Sequence, residues 1–236
     1  MEVHHHPHVE KKNFKEYFLE FLMIFFAVTL GFFAENIREK ITDKTIEKEY
    51  MQSLVADLKE DTSAISQAIH VWSSANNDVV AIQQSLKERP VDVKNFYKSL
   101  SKDFWHFDLF KYDNKTVEEL KSSGNFRLIR DKEIENRIMS FDLDMKYLLT
   151  QEKDVKDLMN VSKQAEEKIA DYTQIRFRNF NNDSAYCLLN NDPKLIGEYY
   201  NKLLAFNKLA VYHEFLFRQL QVKGKNLLQT IQKEYQ

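Results

Sequence analysis

FLEFLMIFFAVTLGFFA, residues 18–34, decides the reading of this chain. It carries one charge, Glu20, near its start, and after that only Thr29 and Gly31 interrupt the apolar run. Lys11, Lys12 and Lys15 precede it; Glu35, Arg38 and Lys40 follow it. At 1.5 Å per residue, about 17 residues span roughly 25 Å, close to the lower limit for a helix crossing a bilayer. A buried helix of a soluble domain can be equally apolar, but it needs other apolar elements around it, and no second stretch of comparable hydrophobicity exists here. A cleaved signal would have a shorter apolar region ending in small residues, whereas this run ends in Phe32, Phe33, Ala34 and Glu35. The expectation is an uncleaved transmembrane helix over 18–35, with the lipid bilayer as its partner.

One face of the anchor is patterned. Glu20, Ile24, Ala27, Gly31 and Glu35 recur at helical three- and four-residue steps. Ala27 and Gly31 form a small-xxx-small pair, which lets two helix backbones approach closely. The stripe Glu20, Ala27, Gly31, Glu35 is therefore a candidate helix-association seam, against the plainer reading that glycine is simply common in membrane helices. Glu20 and Glu35 are expected at headgroup depth, because carboxylates are costly in hydrocarbon.

Glycine and proline are scarce, at 4 and 3 of 236 residues, while 30% of residues are charged. That is the composition of long helices. At a net charge of -2 nothing points to nucleic acid, whose binding demands a basic face. Cys187 is the single cysteine, so neither an intrachain disulfide nor a thiolate metal cluster is available. His4, His5, His6 and His8 lie in the polar tail 1–17 without a fixed scaffold; no metal site and no cofactor is expected from them.

After the anchor, apolar residues continue at steps of three, four and seven. Tyr50, Leu54, Leu58, Ile65, Ile69, Trp72, Val79, Ile82 and Leu86 give one stripe on a first long helix over 36–89, ended by Pro90. Ile134, Ile138, Phe141, Met145, Leu148, Val155, Leu158, Val161 and Ala165 give a second helix over 131–178. Tyr199, Leu203, Phe206, Ala210, His213, Phe217, Leu220 and Leu227 give a third over 193–235, with Asp192 as its cap and Pro193 in its first turn. Between 90 and 130 the pattern is less regular. Thr116 and Glu119 read as a capping box, and Gly124 as a left-handed helix end. The expected fold is all-α: an N-terminal transmembrane helix continuing into a long antiparallel bundle, residues 36–236, with 90–130 as a small helical cap at one end.

The stretch Thr116 to Ile138, TVEELKSSGNFRLIRDKEIENRI, resembles a family of uncharacterised bacterial single-pass membrane proteins that carry an SGN-L-x-LI motif. The motif positions here are Thr116, Leu120, Ser123, Gly124, Asn125, Leu128, Ile129 and Ile134, with Phe126 in place of the usual leucine. The opening of the chain looks like the start of one branch of that family. The resemblance implies a bacterial inner-membrane anchor, a short cytoplasmic N-terminus and a periplasmic bundle, and it brings no activity. The flanking positive charges alone give no orientation.

No catalytic signature stands out. Cys187 with His106 or His213 lacks the local context of a nucleophile and its base, and the chain is not expected to be an enzyme. The aromatic run Phe104, Trp105, Phe107 and Phe110 is a candidate partner surface, or else core of the cap. Two function classes follow. The first is a structural or interaction protein, either a homo-oligomer or an accessory to an envelope protein partner. The second is a sensory or ligand-binding bundle, expected to signal through a partner because no second span follows before Gln236.

Overall fold

A computed structural model of the chain describes residues 13–102, 110–176 and 186–235. It is all-α, with no strand among the described residues. The elements are α1 (Phe14–Lys87), α2 (Val93–Leu100), α3 (Lys115–Ser122), a 3-10 turn (Asn125–Leu128), α4 (Lys132–Glu166), α5 (Thr173–Arg176) and α6 (Pro193–Tyr235). The chain divides into two compact units, Met1–Glu49 and Tyr50–Gln236.

The second unit is a bundle of the later part of α1 with α4 and α6. Its core runs along all three, through Leu54, Leu58, Ile65, Trp72, Val79 and Ile82, then Ile138, Met145 and Leu148, then Leu203, Phe206 and Phe217. Pairings along the helices fix their directions. From α1 to α6, Gln221 Nε2 donates to Ser66 Oγ at 2.6 Å, Asn76 Nδ2 donates to Glu214 at 2.7 Å, and Lys87 lies 5.5 Å over the Tyr200 ring. Rising numbers on α1 meet falling numbers on α6, so the two are antiparallel. Arg137 with Thr230, Asp144 with Lys223 and Glu166 with Tyr199 set α4 antiparallel to α6 in the same way. It follows that α1 and α4 run parallel to each other, both antiparallel to α6.

The reason lies in the connection between them, whose described residues, 90–102 and 110–130, contact opposite ends of the bundle and not one end as expected. α2 packs beside the start of α6, with Phe96 edge-on to Tyr199 at 6.4 Å. Tyr112 meets Phe141 and Asp113 meets Asp61, away from the α2 end of the bundle. α3 then sits near Asp57, and α4 starts again in the direction of α1.

The helix ends follow side-chain chemistry. Asp131 caps α4 by accepting from the backbone N–H of Glu133 and Ile134 at 2.8 and 3.1 Å. Asp192 accepts from Lys194 N at 2.9 Å ahead of Pro193. Gly124 has φ 70°, the left-handed conformation that glycine adopts without strain. The capping box at Thr116 does not form: α3 starts two residues earlier, with Asn114 in the cap position, Thr116 is buried, and its N–H points to Asp57 Oδ2 at 3.4 Å. The second long helix also ends before residue 178. α4 stops at Glu166, a turn follows, and Asp171 accepts from Thr173 N at 3.0 Å to open the single turn of α5.

Candidate functional site

The first unit carries the anchor stretch. Its most apolar 18-residue window has a mean hydropathy of 2.0, and none of that window is buried within the chain. Phe21, Ile24, Phe25, Phe26, Leu30 and Phe33 are all more than half exposed. So much apolar surface on every side of one helix is stable only in contact with hydrocarbon or other helices. Thr29, the one hydroxyl in the run, donates to Phe25 O at 2.7 Å, so its polar group is satisfied inside its own helix. By length and composition this stretch is a candidate membrane span.

The sequence-predicted seam residues Glu20, Ala27, Gly31 and Glu35 all lie on α1. A methyl group at Gly31 would meet nothing within 4 Å, so the close-approach position is open. Glu35 pairs with Arg38, one turn on. Of the aromatic run, Phe104, Trp105 and Phe107 lie outside the described residues, as do the histidines of the tail. Phe110 is half-buried and edge-on to Phe217 at 5.2 Å. That contact makes it part of the core packing, a correction to its placement on a partner surface.

Inside the bundle lie polar groups that sequence reasoning passed over. Asp142 is fully buried; it accepts from Lys121 Nζ at 2.5 Å, Lys146 Nζ at 3.1 Å and the Tyr112 hydroxyl at 3.1 Å. Burial pushes its pKa up, but the hydrogen bonds from both lysines and Tyr112 outweigh this and hold the carboxyl below the usual range. Burial, then the neighbouring Asp142, push the Tyr112 phenol up, so it stays a neutral donor. Asp61, 3% exposed, accepts from Asp113 N at 3.1 Å and, among the described residues, has no cation paired with it. At the other end, Glu166 accepts from the hydroxyls of Tyr172 at 2.8 Å and Tyr199 at 2.7 Å. Tyr97 ties the same region: it donates to Cys187 O at 3.0 Å and accepts from Asp171 N at 2.8 Å. Each network crosses between elements that are distant in sequence, so each fixes register as well as burying a charge or a phenol.

His213 is 1% exposed, edge-on to Trp72 at 4.9 Å and to Phe217 at 5.1 Å. Neither ring nitrogen has a hydrogen-bond partner, and burial lowers its pKa to about 4, so it is a neutral core residue. Cys187 is exposed, in the connection to α6 beside Tyr97, and is not brought to His213. Among the described residues no group of three or more metal-ligating side chains converges. A groove of about 420 Å³ between the end of α1 and α2 is lined by Glu88, Asp92, Lys98 and Lys102 among others. Its walls carry both signs of charge, unlike the mostly apolar clefts that enclose small-molecule cofactors.

The fold and the apolar stretch define a class: among the described residues, an all-α bundle with one candidate membrane span near the N-terminus. No family model, no curated protein and no solved structure matches the chain.

Proposed function

We propose that this chain is a membrane-anchored structural or interaction protein, an oligomeric or accessory component of a bacterial envelope complex, with its bundle on the periplasmic side of the inner membrane. The observation that carries the reading is the apolar stretch of α1, exposed on all sides and followed by a bundle whose buried polar groups tie helices together. The sequence resemblance to single-pass bacterial membrane proteins supports the compartment and the orientation. Ala27 and Gly31, one turn apart on α1, support close helix approach along that stripe.

The deciding experiment is purification of the intact chain in mild detergent, with mass determination and identification of whatever co-purifies. A stable homo-oligomer, or a partner in fixed stoichiometry, is the expected result. Gly31→Ile is expected to weaken the homo-oligomer if the seam is its contact. A clean monomer that brings nothing with it overturns this reading and leaves the sensory bundle.

A further inference from the structure

We propose that the outward face of α6 docks an acidic amphipathic helix of a partner protein. The inference deepens the interaction reading above and rests on it for the existence of a partner. α6 buries one stripe in the bundle, through Leu203, Phe206, Ala210, Phe217 and Leu220. A second stripe lies on the far side of the same helix, where Leu204, Val211, Phe215 and Val222 follow at steps of seven, four and seven. Leu204 is half-buried, and the other three are half or more exposed. Tyr212 stacks on Phe215 with ring centroids 6.4 Å apart, so the exposed ring is held in place.

Charge singles out the occupant. From Lys202 to Lys233, α6 has six basic residues and one carboxylate, Glu214. Glu214 is already engaged: it accepts from Asn76 of α1 at 2.7 Å and holds Arg218 at 2.6 Å. Lys223 is held by Asp144 of α4. Lys208 and Lys225 are exposed, and among the described residues no carboxylate pairs with either. With Arg218 they fill the gaps in the apolar row. Positions 204, 208, 211, 215, 218, 222 and 225 alternate steps of four and three, the heptad spacing that one helix offers to another.

Other occupants fit less of this pattern. A second copy offering the same face would set Lys208 and Lys225 against like charges, which is repulsive at a helix seam. A bilayer surface takes up a broad apolar helix face, whereas this row is narrow and broken by cations. A partner helix with apolar residues along its own seam and Asp or Glu beside them meets both halves of the pattern, apolar on apolar and carboxylate on ammonium. The row from Leu204 to Lys225 is about 30 Å long, room for a partner helix of about six turns.

The test places the photo-crosslinking residue p-benzoylphenylalanine at Phe215 of the full-length protein, in the cells that make it. The same label at Leu143, exposed on α4, is the control. The expected result is one crosslinked protein at 215 and not at 143, its crosslinked peptide lying in an acidic amphipathic helix when read by mass spectrometry. Lys208→Glu with Lys225→Glu should lower that yield about tenfold or more, because like charges then face each other, with helical circular dichroism unchanged. Should the double reversal not fold, Lys208→Gln with Lys225→Gln removes the charges alone and should lower the yield in the same direction. Crosslinking to a second copy or to lipid overturns the proposal, as does a crosslinked segment without acidic residues, equal yield at both positions, or a yield indifferent to the charge changes. If a partner co-purifies with the intact chain while 215 stays silent, this face fails and the interaction reading stands; if nothing co-purifies and 215 is silent, both fail.

Discussion

Gly224 shows how little room a single residue has in this bundle. A Cβ placed there would lie 3.0 Å from Thr62 Cγ2 and 3.1 Å from Phe141 Cε2, so α6 meets α1 and α4 at a point where only hydrogen fits. Thr62 is β-branched on a helix and Phe141 is buried, so neither swings aside cheaply. Gly197 is also helical, but a methyl there would meet nothing within 4 Å. The two glycines should respond oppositely to substitution. Gly224→Val is expected to destabilise the bundle by about 2 kcal/mol through overpacking. Gly197→Ala should stabilise it by about 0.5–1 kcal/mol, because alanine loses less backbone entropy in a helix. Thermal or urea unfolding of the two variants measures both signs. Equal, small effects would mean that the helix contact at Gly224 is looser than its geometry implies.

At the scale of the element, the long helices and the capped starts of α4 and α6 were legible because their signals are local, while the end of α4 and the start of α3 were not. Period, caps and Pro193 sit within a few residues of what they determine. Asp131 is the cleanest case: it holds two first-turn N–H groups of α4, so Asp131→Ala is expected to cost about 1 kcal/mol, seen as lowered stability and faster amide exchange in the first turn of α4. Some of the buried polar groups that the reading passed over left a trace in it, as gaps. The apolar stripe of α1 steps by seven from Leu58 to Ile65 and from Trp72 to Val79; the skipped turns hold buried Asp61 and Thr62, then Ala75 and Asn76. On α4 the step from Leu148 to Val155 passes half-buried Glu152, and on α6 the step from Leu220 to Leu227 passes Gly224. A seven-residue step in a helical stripe marks a turn that still faces the core, occupied by a residue that is polar or too small to count as apolar. Val161 failed in the complementary way, since buried Ser162 takes the inward position beside it. The direction of α4 and the placement of Tyr112 and Asp113 against Phe141 and Asp61 were not legible. Both depend on how an irregular segment returns along the bundle, and nothing local encodes that path. The placement of Phe110 against Phe217 is of the same kind.

For the whole molecule, two buried titratable groups pull stability in opposite directions with pH. Asp61 is raised to about 7, so its contribution is largest in acid and is lost as pH rises from the usual carboxylate range to that value. His213 is lowered to about 4, so its contribution is complete above the usual imidazole range and is lost as pH falls toward that value. Across the shared window the two slopes cancel, at about 2 kcal/mol each once solvent screening is allowed for. Urea unfolding between about pH 4.5 and 6.5 should show stability rising with pH in Asp61→Asn, falling with pH in His213→Phe, and changing least in the wild type. Slopes of the same sign in both variants would refute the opposition. The apolar stretch of α1 governs a larger quantity, the partition of the whole chain between water and bilayer. Phe26 and Leu30 are each more than half exposed, so replacing them removes no contact from the core of the bundle. An arginine near the centre of a span costs about 3 kcal/mol in insertion, so Phe26→Arg with Leu30→Arg costs about 6, enough to reverse an equilibrium that the remaining phenylalanines favour. The wild-type chain is expected in the membrane pellet and to resist alkaline carbonate extraction; the double variant is expected in the extracted fraction with its helical circular dichroism retained. Release of the wild type by carbonate, or undiminished integration of the double variant, would mean that residues 18–35 are covered by protein and not by lipid.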